Sequence, residues 1–480
     1  MTNTNDPARA LETLRLPLEQ LPDPLHIPTA ESLAGPPPYA AKARVLPPGS
    51  KSLTNRALLI AALADGTSII NKPLLHADDA QRMIQALTTL GVNIEHLPES
   101  TRKPERLIVH GTAGTLTPPI DNQPLFLNNA GTATRFLTAA ATLATGPVTI
   151  DGNQRMRQRP IAELTSLLKS LGLTVEHHES DGFVPLTVTP KPLASNQVTV
   201  PTTQSSQFIS ALCMIAPWLP EGLTLRFQGP ITSRPYIDMT LKLMQQTTGV
   251  EHHWANDHTE LHIPHQPHNG FEYEVEPDAS GATYHLAAAA ILPGLTVRIP
   301  GLSFTSLQSD ARFLLTLGSM GCKINYAAGA ADCTGPDSLN GIEHADFEPT
   351  PDAAMTLAAA AAFATSPTTI TGLRTLRVKE TDRIDATRDE LARLSVTVQT
   401  THDTMTIHPP ENAPQIDPAL YHDGLETYDD HRMAMSLALV AMRTPGVAIK
   451  DPACVAKTYP SFFNDLATIY DALIAPTSRF

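Results

Sequence analysis

Pro47-Pro48-Gly49-Ser50-Lys51-Ser52-Leu53-Thr54-Asn55-Arg56-Ala57-Leu58-Leu59-Ile60-Ala61-Ala62-Leu63-Ala64-Asp65-Gly66 carries the pattern from which the rest of the chain can be read. A Pro/Gly turn gives way to hydroxyls and two cations, then to an apolar run that stops at a glycine. Pro-Gly-Ser and Gly66 are helix start and stop signals. From Ala57 to Ala64 the run is apolar on every face, which predicts a helix packed on all sides. Lys51, Ser52 and Arg56 then fall in the first turns of a buried helix, where free N–H groups and the helix dipole favour an anion. Taken alone, the stretch is equally a capped structural helix with two solvated cations.

The same theme recurs along the chain. Ala/Leu-rich segments end at a breaker in Ser52–Gly66, Gly131–Gly146, Ser206–Gly222, Ser280–Gly294, Asp352–Ser366 and Asp430–Gly446. The breakers are roughly 72 to 80 residues apart, about a sixth of the chain. A short β-type run follows each one: Thr67–Asn71, Val148–Asp151, Leu223–Phe227, Leu295–Ile299, Thr368–Thr371 and Val447–Lys450. Next come a polar loop and an amphipathic helix, as in Ala80, Met83, Ile84 and Leu87, or Ile161, Leu164, Leu167, Leu168 and Leu171. That helix closes on a glycine suited to a left-handed C′ position, before Val92, Leu173, Val250 and Cys322, with Ser395 in the same place before Val396. Six such units cannot bury their faces alone, so they are expected to stack, three to a domain, with the Ala-rich helices inside. A single larger array is the other arrangement, but helices this apolar do not suit an open solenoid.

At 480 residues the chain exceeds one ordinary core. A formal charge of −14 argues against wrapping a nucleic-acid backbone, and local cationic loops in an acidic chain suggest a small anionic substrate. Cys213, Cys322, Cys333 and Cys454 form no CxxC pair, which reads as free thiols in a reducing compartment. No apolar run approaches the roughly 18–20 residues that span a bilayer, and Met1 to Ala10 holds no secretory apolar stretch, so a cytoplasmic location is expected. Residues 1–38, rich in Pro and polar side chains, are expected to lie outside the core fold.

Unusual residues collect at two points of each unit. At helix starts lie Lys51/Ser52/Arg56, Asn129 through Arg135, Ser205-Ser206-Gln207, Asp278-Ala279-Ser280, Asp352 and Asp430-His431-Arg432. In the loops lie Arg155 through Arg159, Ser233-Arg234-Pro235-Tyr236, Lys379 through Arg383, and Lys457. Each has a plain structural explanation: Asp430, Asp382 and Ser205 can be helix caps, and the arginine loop can be solvated. His177-His178 and His252-His253 lack a third ligand nearby, so no metal site is expected. Their coincidence at equivalent points of a repeat favours a cleft lined by helix N-termini, hydroxyls and cations, a site for a polyanion.

Taken together, the Pro47–Arg56 stretch, Leu127 through Arg135, Arg155 with Arg159-Pro160, Ser205 through Phe208, Pro351 through Met355, Arg377 through Arg383, Asp430 through Met435 and Lys457-Thr458 resemble the 5-enolpyruvylshikimate-3-phosphate synthase family. The resemblance runs from about residue 40 to about 472. It implies an α/β fold, a two-domain inside-out α/β barrel with three βαβαββ repeats per domain. The discontinuous domain would hold residues 39–50 and 277–474, the inserted domain 51–276, with 1–38 an extension and 475–480 a tail.

The implied reaction transfers the enolpyruvyl group of phosphoenolpyruvate to the 5-hydroxyl of shikimate 3-phosphate, with loss of phosphate. Converging cations suit two phosphorylated carboxylates. By resemblance, phosphoenolpyruvate would meet Lys51, Gly131, Arg155, Gln207, Arg383, Arg432 and Lys457. Shikimate 3-phosphate would meet Lys51, Ser52, Arg56, Ser205, Ser206, Gln207, Ser233, Tyr236, Asp352, Thr375 and Lys379. Asp352 would be the base, Glu380 the acid, and Lys51 would assist at the bridging oxygen. No cofactor, metal, nucleic acid or membrane enters, and a monomer is expected. Gly131 implies inhibition by glyphosate, a mimic of phosphoenolpyruvate. Asn128 stands where the family often has Gly, implying a stiffer hinge, and Thr375 where it usually has Asn. Two other readings are the sister transferase acting on UDP-N-acetylglucosamine, whose loop cysteine has no counterpart in Arg155–Arg159, and a non-catalytic anion-binding protein of the same fold.

Overall fold

Ser50 starts the first buried helix: its hydroxyl accepts the Leu53 N–H, and the helix runs Lys51–Leu63. Leu53 through Leu63 are all buried, including Asn55 and Arg56, and the Lys51 side chain is only 13% exposed, so neither cation stands in solvent as on a surface helix. The computed structural model describes residues 6–101 and 103–475. It divides into two compact units, Met1–Pro48 with Pro277–Phe480, and Gly49–Glu276.

Each unit is built around three buried helices that pack on one another. They are Lys51–Leu63, Gly131–Ala140 and Ser206–Ile215 in one unit, and Ala279–Ile291, Ala354–Ala361 and His431–Ala441 in the other. Small alanine side chains let the axes approach, and every residue of Ala354–Ala361 is buried.

Five four-stranded sheets surround these helices with one recurring order. The strand that follows a buried helix lies between a parallel neighbour and an antiparallel one, and a hairpin adds the fourth. In the Gly49–Glu276 unit the central strands are Thr67–Asn71, Val148–Asp151 and Leu223–Gln228. In the other unit they are Thr296–Pro300 and Thr368–Thr371. The parallel partners close each unit on itself: Lys42–Arg44, ahead of the inserted residues, pairs with Thr296–Pro300 beyond them. Likewise Glu272–Glu274 pairs with Thr67–Asn71.

The sixth sheet is different. Ala448–Ile449 has Leu425 as a parallel bridge, and its antiparallel partner is Leu25–His26 from the N-terminal segment. The expectation that residues 1–38 lie outside the core fold is therefore corrected for residues 6–38. Leu11, Leu14, Leu25, Ile27 and Ala30 are buried in the same core as the Ala-rich helices. The reason is physical: among the described residues no hairpin follows Ala448–Ile449, and the N-terminal segment supplies the missing edge. Residues 1–5 and, of the expected tail, 476–480 lie outside the described residues. Among the described residues no helix is long and apolar enough to cross a membrane.

Candidate active site

In the Gly49–Glu276 unit the expected residues sit at the starts of the three buried helices and on the loops beside them. Lys51 opens its helix and lies 3.3 Å from the carboxylate of Asp79, in the first turn of the amphipathic helix Asp78–Thr89. Ser52 follows it and is half-buried.

Arg56, one turn further on, is bound inside the protein. Its guanidinium donates to Thr240 Oγ1, Ser52 O, Ser210 Oγ and Tyr236 O, and its face lies over the Phe136 ring. Burial lowers its pKa to about 10, still far above neutrality. With four of five N–H groups engaged, one remains for any ligand.

Gly131 is the first residue of its helix, and a side chain there would strike two guanidinium groups. A Cβ would lie 2.6 Å from both Arg135 Nη1 and Arg159 Nη2. Those groups are fixed: Arg135 donates to Gly131 O and Pro160 O, and Arg159 to the backbone and side-chain oxygens of Asn129. Both arginines lie in the stretches singled out from the sequence, but neither is given a substrate contact there, although Arg135 lies one helical turn after Gly131, a signal that points to it. Asn128 has a φ of +48°, a left-handed conformation that explains why glycine suits this position, and its side chain donates to Asp78.

Arg155 precedes a short 3-10 turn and donates to Gln158. Ser205 caps the third buried helix by accepting the Gln207 N–H, Ser206 opens it, and the Gln207 amide reaches Thr132 beside Gly131. Ser233 adopts a left-handed φ of +44° ahead of the helix Arg234–Thr248, on whose first turn Tyr236 lies.

The other unit gathers one continuous charge network. Asp352 lies in a 3-10 turn leading into the helix Ala354–Ala361, and its carboxylate accepts from Arg383 and Arg432, each at 3.0 Å, with Lys379 at 3.6 Å. Arg383 opens the helix Arg383–Ala392 and also donates to Glu380 at 2.9 Å and, through Nε and Nη2, to Asp430 at 2.7 and 3.1 Å. Lys457 stands 3.9 Å from Glu380 at the end of the 3-10 helix Pro452–Lys457. Thr375, on the 3-10 turn Arg374–Val378, is buried with no hydrogen-bond partner for its hydroxyl.

Both readings of Asp430 hold at once: it caps the helix His431–Ala441 through the Arg432 N–H and is bidentate to Arg383. Asp382 caps Arg383–Ala392 while accepting from Arg377. Burial would lower the pKa of Arg383, but the carboxylates of Asp430, Glu380 and Asp352 together outweigh it and raise the value. For Arg432 the opposition is the same, with Asp352 the largest raising influence. Asp310, which accepts from Ser280, is pushed up by burial and by Asp352. The arrangement keeps cations charged and aimed, with carboxylates held among them. Such a set can bind an anion and move a proton.

Solved structures share this fold. EPSP synthase from Acinetobacter baumannii aligns with a TM-score of 0.70 at 24% identity, covering 88% of this chain and 94% of that one. The enolpyruvyl transferase NikO from Streptomyces tendae aligns at 0.64 and 17%, covering 89% and 94%. The fold is thus one that enolpyruvyl transferases use.

Sequence narrows it further. The family model described as EPSP synthase (3-phosphoshikimate 1-carboxyvinyltransferase) matches residues 37–466. The 3-phosphoshikimate 1-carboxyvinyltransferase of Salmonella schwarzengrund is 41% identical over 423 residues, 88% of this chain and 94% of its own length. That of Nostoc sp. is 38% identical over 425 residues, 88% and 96%. The chain belongs to the EPSP synthase family.

Proposed function

We propose that this chain performs the reaction of its family: transfer of the enolpyruvyl group of phosphoenolpyruvate to the 5-hydroxyl of shikimate 3-phosphate, with release of phosphate, in aromatic amino acid biosynthesis. The observation that carries the reading is the network in which Lys379, Arg383, Arg432 and Lys457 surround Asp352 and Glu380. Two phosphorylated carboxylates need such cations to be brought together, and the addition needs a base and an acid among them.

Asp352 takes the proton of the 5-hydroxyl as its oxygen bonds to C2 of phosphoenolpyruvate, and Glu380 delivers a proton to C3. The tetrahedral intermediate then loses a C3 proton to the Glu380 carboxylate while its C2–O bond to phosphate breaks, the departing phosphate taking back the proton held by Asp352. Lys51 assists at the bridging oxygen. Phosphoenolpyruvate is held by Lys51, Gly131, Arg155, Gln207, Arg383, Arg432 and Lys457. Shikimate 3-phosphate is held by Lys51, Ser52, Ser205, Ser206, Gln207, Ser233, Tyr236, Asp352, Thr375 and Lys379, and Arg56 adds at most its one remaining N–H. Three βαβαββ repeats per unit, a monomer and a cytoplasmic location complete the reading, and glyphosate inhibits by replacing phosphoenolpyruvate.

Purified protein mixed with both substrates should release phosphate, whereas UDP-N-acetylglucosamine in place of shikimate 3-phosphate should give none. Release only with the sugar nucleotide, or with neither, overturns the proposal. Full turnover at saturating glyphosate overturns the inhibitor reading alone.

A further inference from the structure

The N-terminal segment lies ahead of residues 37–466, where the family model matches, yet it is built into the sheet that leads to Lys457. We propose that residues 6–34 are a positioning element for Lys457, holding the turn on which that amine is presented to phosphoenolpyruvate. The inference rests on the reading of Lys457 given above.

The contacts run in register along both segments. Leu25 pairs with Ile449 and His26 with Ala448. The Ile27 N–H donates to Val447 O, the Ala30 N–H to Met442 O, and the Tyr470 hydroxyl to Pro28 O. At the far end Asp23 Oδ1 accepts the Asp451 N–H at 2.9 Å. Asp451 has a left-handed φ of +44° and stands immediately before the 3-10 helix Pro452–Lys457. The turn Leu18–Gln20 lies against that same 3-10 helix. Leu11 and Leu14 anchor the segment from within the core, at 4% and 0% exposure.

In the other five sheets the antiparallel neighbour of the central strand comes from a hairpin that follows it in sequence. After Ala448–Ile449 the chain instead passes directly to Lys457 and the helix Phe462–Ile474. An unpartnered edge would leave those backbone groups to water. The left-handed Asp451, unfavourable for a residue with a Cβ, would then lose the bond that fixes the start of the turn. Lys457 has only 9% of its side chain exposed, so its amine cannot recover its aim by swinging through solvent.

The test compares full-length protein with Asp23→Ala, Asp23→Asn and a deletion of residues 1–34. Loss of one carboxylate-to-backbone bond at this point should raise KM for phosphoenolpyruvate about three- to tenfold. The value of kcat and the KM for shikimate 3-phosphate should stay put. Amide hydrogen exchange across residues 451–458 should quicken in the same variant. Asp23→Asn keeps an acceptor oxygen and should restore both, while the deletion should exceed Asp23→Ala in both. Equal shifts in the two KM values, no shift at all, or no recovery with Asn would overturn the proposal. If the deletion fails to fold, the Asp23 pair decides the matter. Absence of any phosphate release from the unaltered protein would instead sink the assigned reaction, and the exchange rates would still judge the N-terminal segment.

Discussion

Replacing Gly131 by Ala adds one methyl group where two charged groups already stand. The new Cβ would sit 2.6 Å from Arg135 Nη1 and from Arg159 Nη2, and 2.9 Å from Arg159 Cζ, about 0.8 Å inside ordinary contact for the nearer pair. The backbone does not resist, since Gly131 is absent from the left-handed glycines and opens a regular helix. Alanine is even the better helix former, by roughly 0.5–1 kcal/mol. The strain therefore falls on the guanidinium groups, whose bonds to Gly131 O, Pro160 O and Asn129 must stretch or break. Gly131 is among the residues proposed to meet phosphoenolpyruvate, and a displaced guanidinium beside it would crowd that ligand. Losing one charged hydrogen bond to the ligand, worth about 1.5–3 kcal/mol, corresponds to roughly 10- to 150-fold in affinity. Steady-state phosphate release with each substrate varied in turn should show that rise in KM for phosphoenolpyruvate, little change for shikimate 3-phosphate, and an unfolding midpoint within a few degrees of the unaltered protein. An unchanged KM for phosphoenolpyruvate would refute the reasoning, because it would mean that neither arginine's position matters to that ligand.

Three other outcomes follow from single sites. Asp352→Asn keeps the shape that meets Arg383 and Arg432 but loses basicity, so kcat should fall about 10²- to 10⁴-fold while calorimetry still detects substrate binding. Ser395→Gly relieves a left-handed φ of +59° at an exposed helix end and should stabilise the protein by about 1 kcal/mol in denaturant titration. Asp465→Asn tests a titration. Burial raises the Asp465 pKa from 3.8 to about 6 against hydrogen bonds from Tyr459 and Ser461. A raised carboxylate pKa means the folded state binds the extra proton, so the ionised group costs stability above pH 6 and the cost fades as pH falls toward 4. The variant's advantage should be at most about 3 kcal/mol at pH 7.5 and vanish near pH 4 in unfolding curves collected across that range.

The elements that could be read from sequence are those whose signal is local. Periodic apolar runs named the buried helices, and the glycine before Val92 and Leu173 has the left-handed φ expected of it, as does Ser395 in its place. The motif residues Lys51, Arg383 and Arg432 fall at helix starts, Asp352 on the 3-10 turn leading into one, Glu380 in the loop ahead of one, and Lys457 at the end of a 3-10 helix. What escaped depended on distant partners. Asp79 meets Lys51 only because the helix Asp78–Thr89 packs against Lys51–Leu63. The solvated-cation reading of Arg56 fails because Thr240 and Ser210, both far along the chain, reach it. The N-terminal segment escaped for a similar reason. Its strand is two residues long, too short for alternation to register, and its partner lies more than 400 residues away.

The two arginines of the Asp352 network divide their work, and the division follows from counting donors. Arg383 gives Nε and both hydrogens of Nη2 to Asp430 and Glu380, and one of Nη1 to Asp352, which leaves it a single N–H. Arg432 gives one N–H to Asp352 and one to the Tyr284 hydroxyl, leaving three. Arg383 is thus the hub that fixes three carboxylates, and Arg432 is the fork with donors to spare for an incoming anion. Uncompensated, a buried guanidinium would cost several kcal/mol, so the carboxylates must be present before any substrate arrives. Asp352 is shared between the hub and the fork. An anion drawing Arg432 toward itself would weaken that carboxylate's hold on a cation, and a carboxylate with fewer cations beside it is a stronger base. Binding of phosphoenolpyruvate and activation of Asp352 would then be one electrostatic event, with the base made more basic only when there is something to react with.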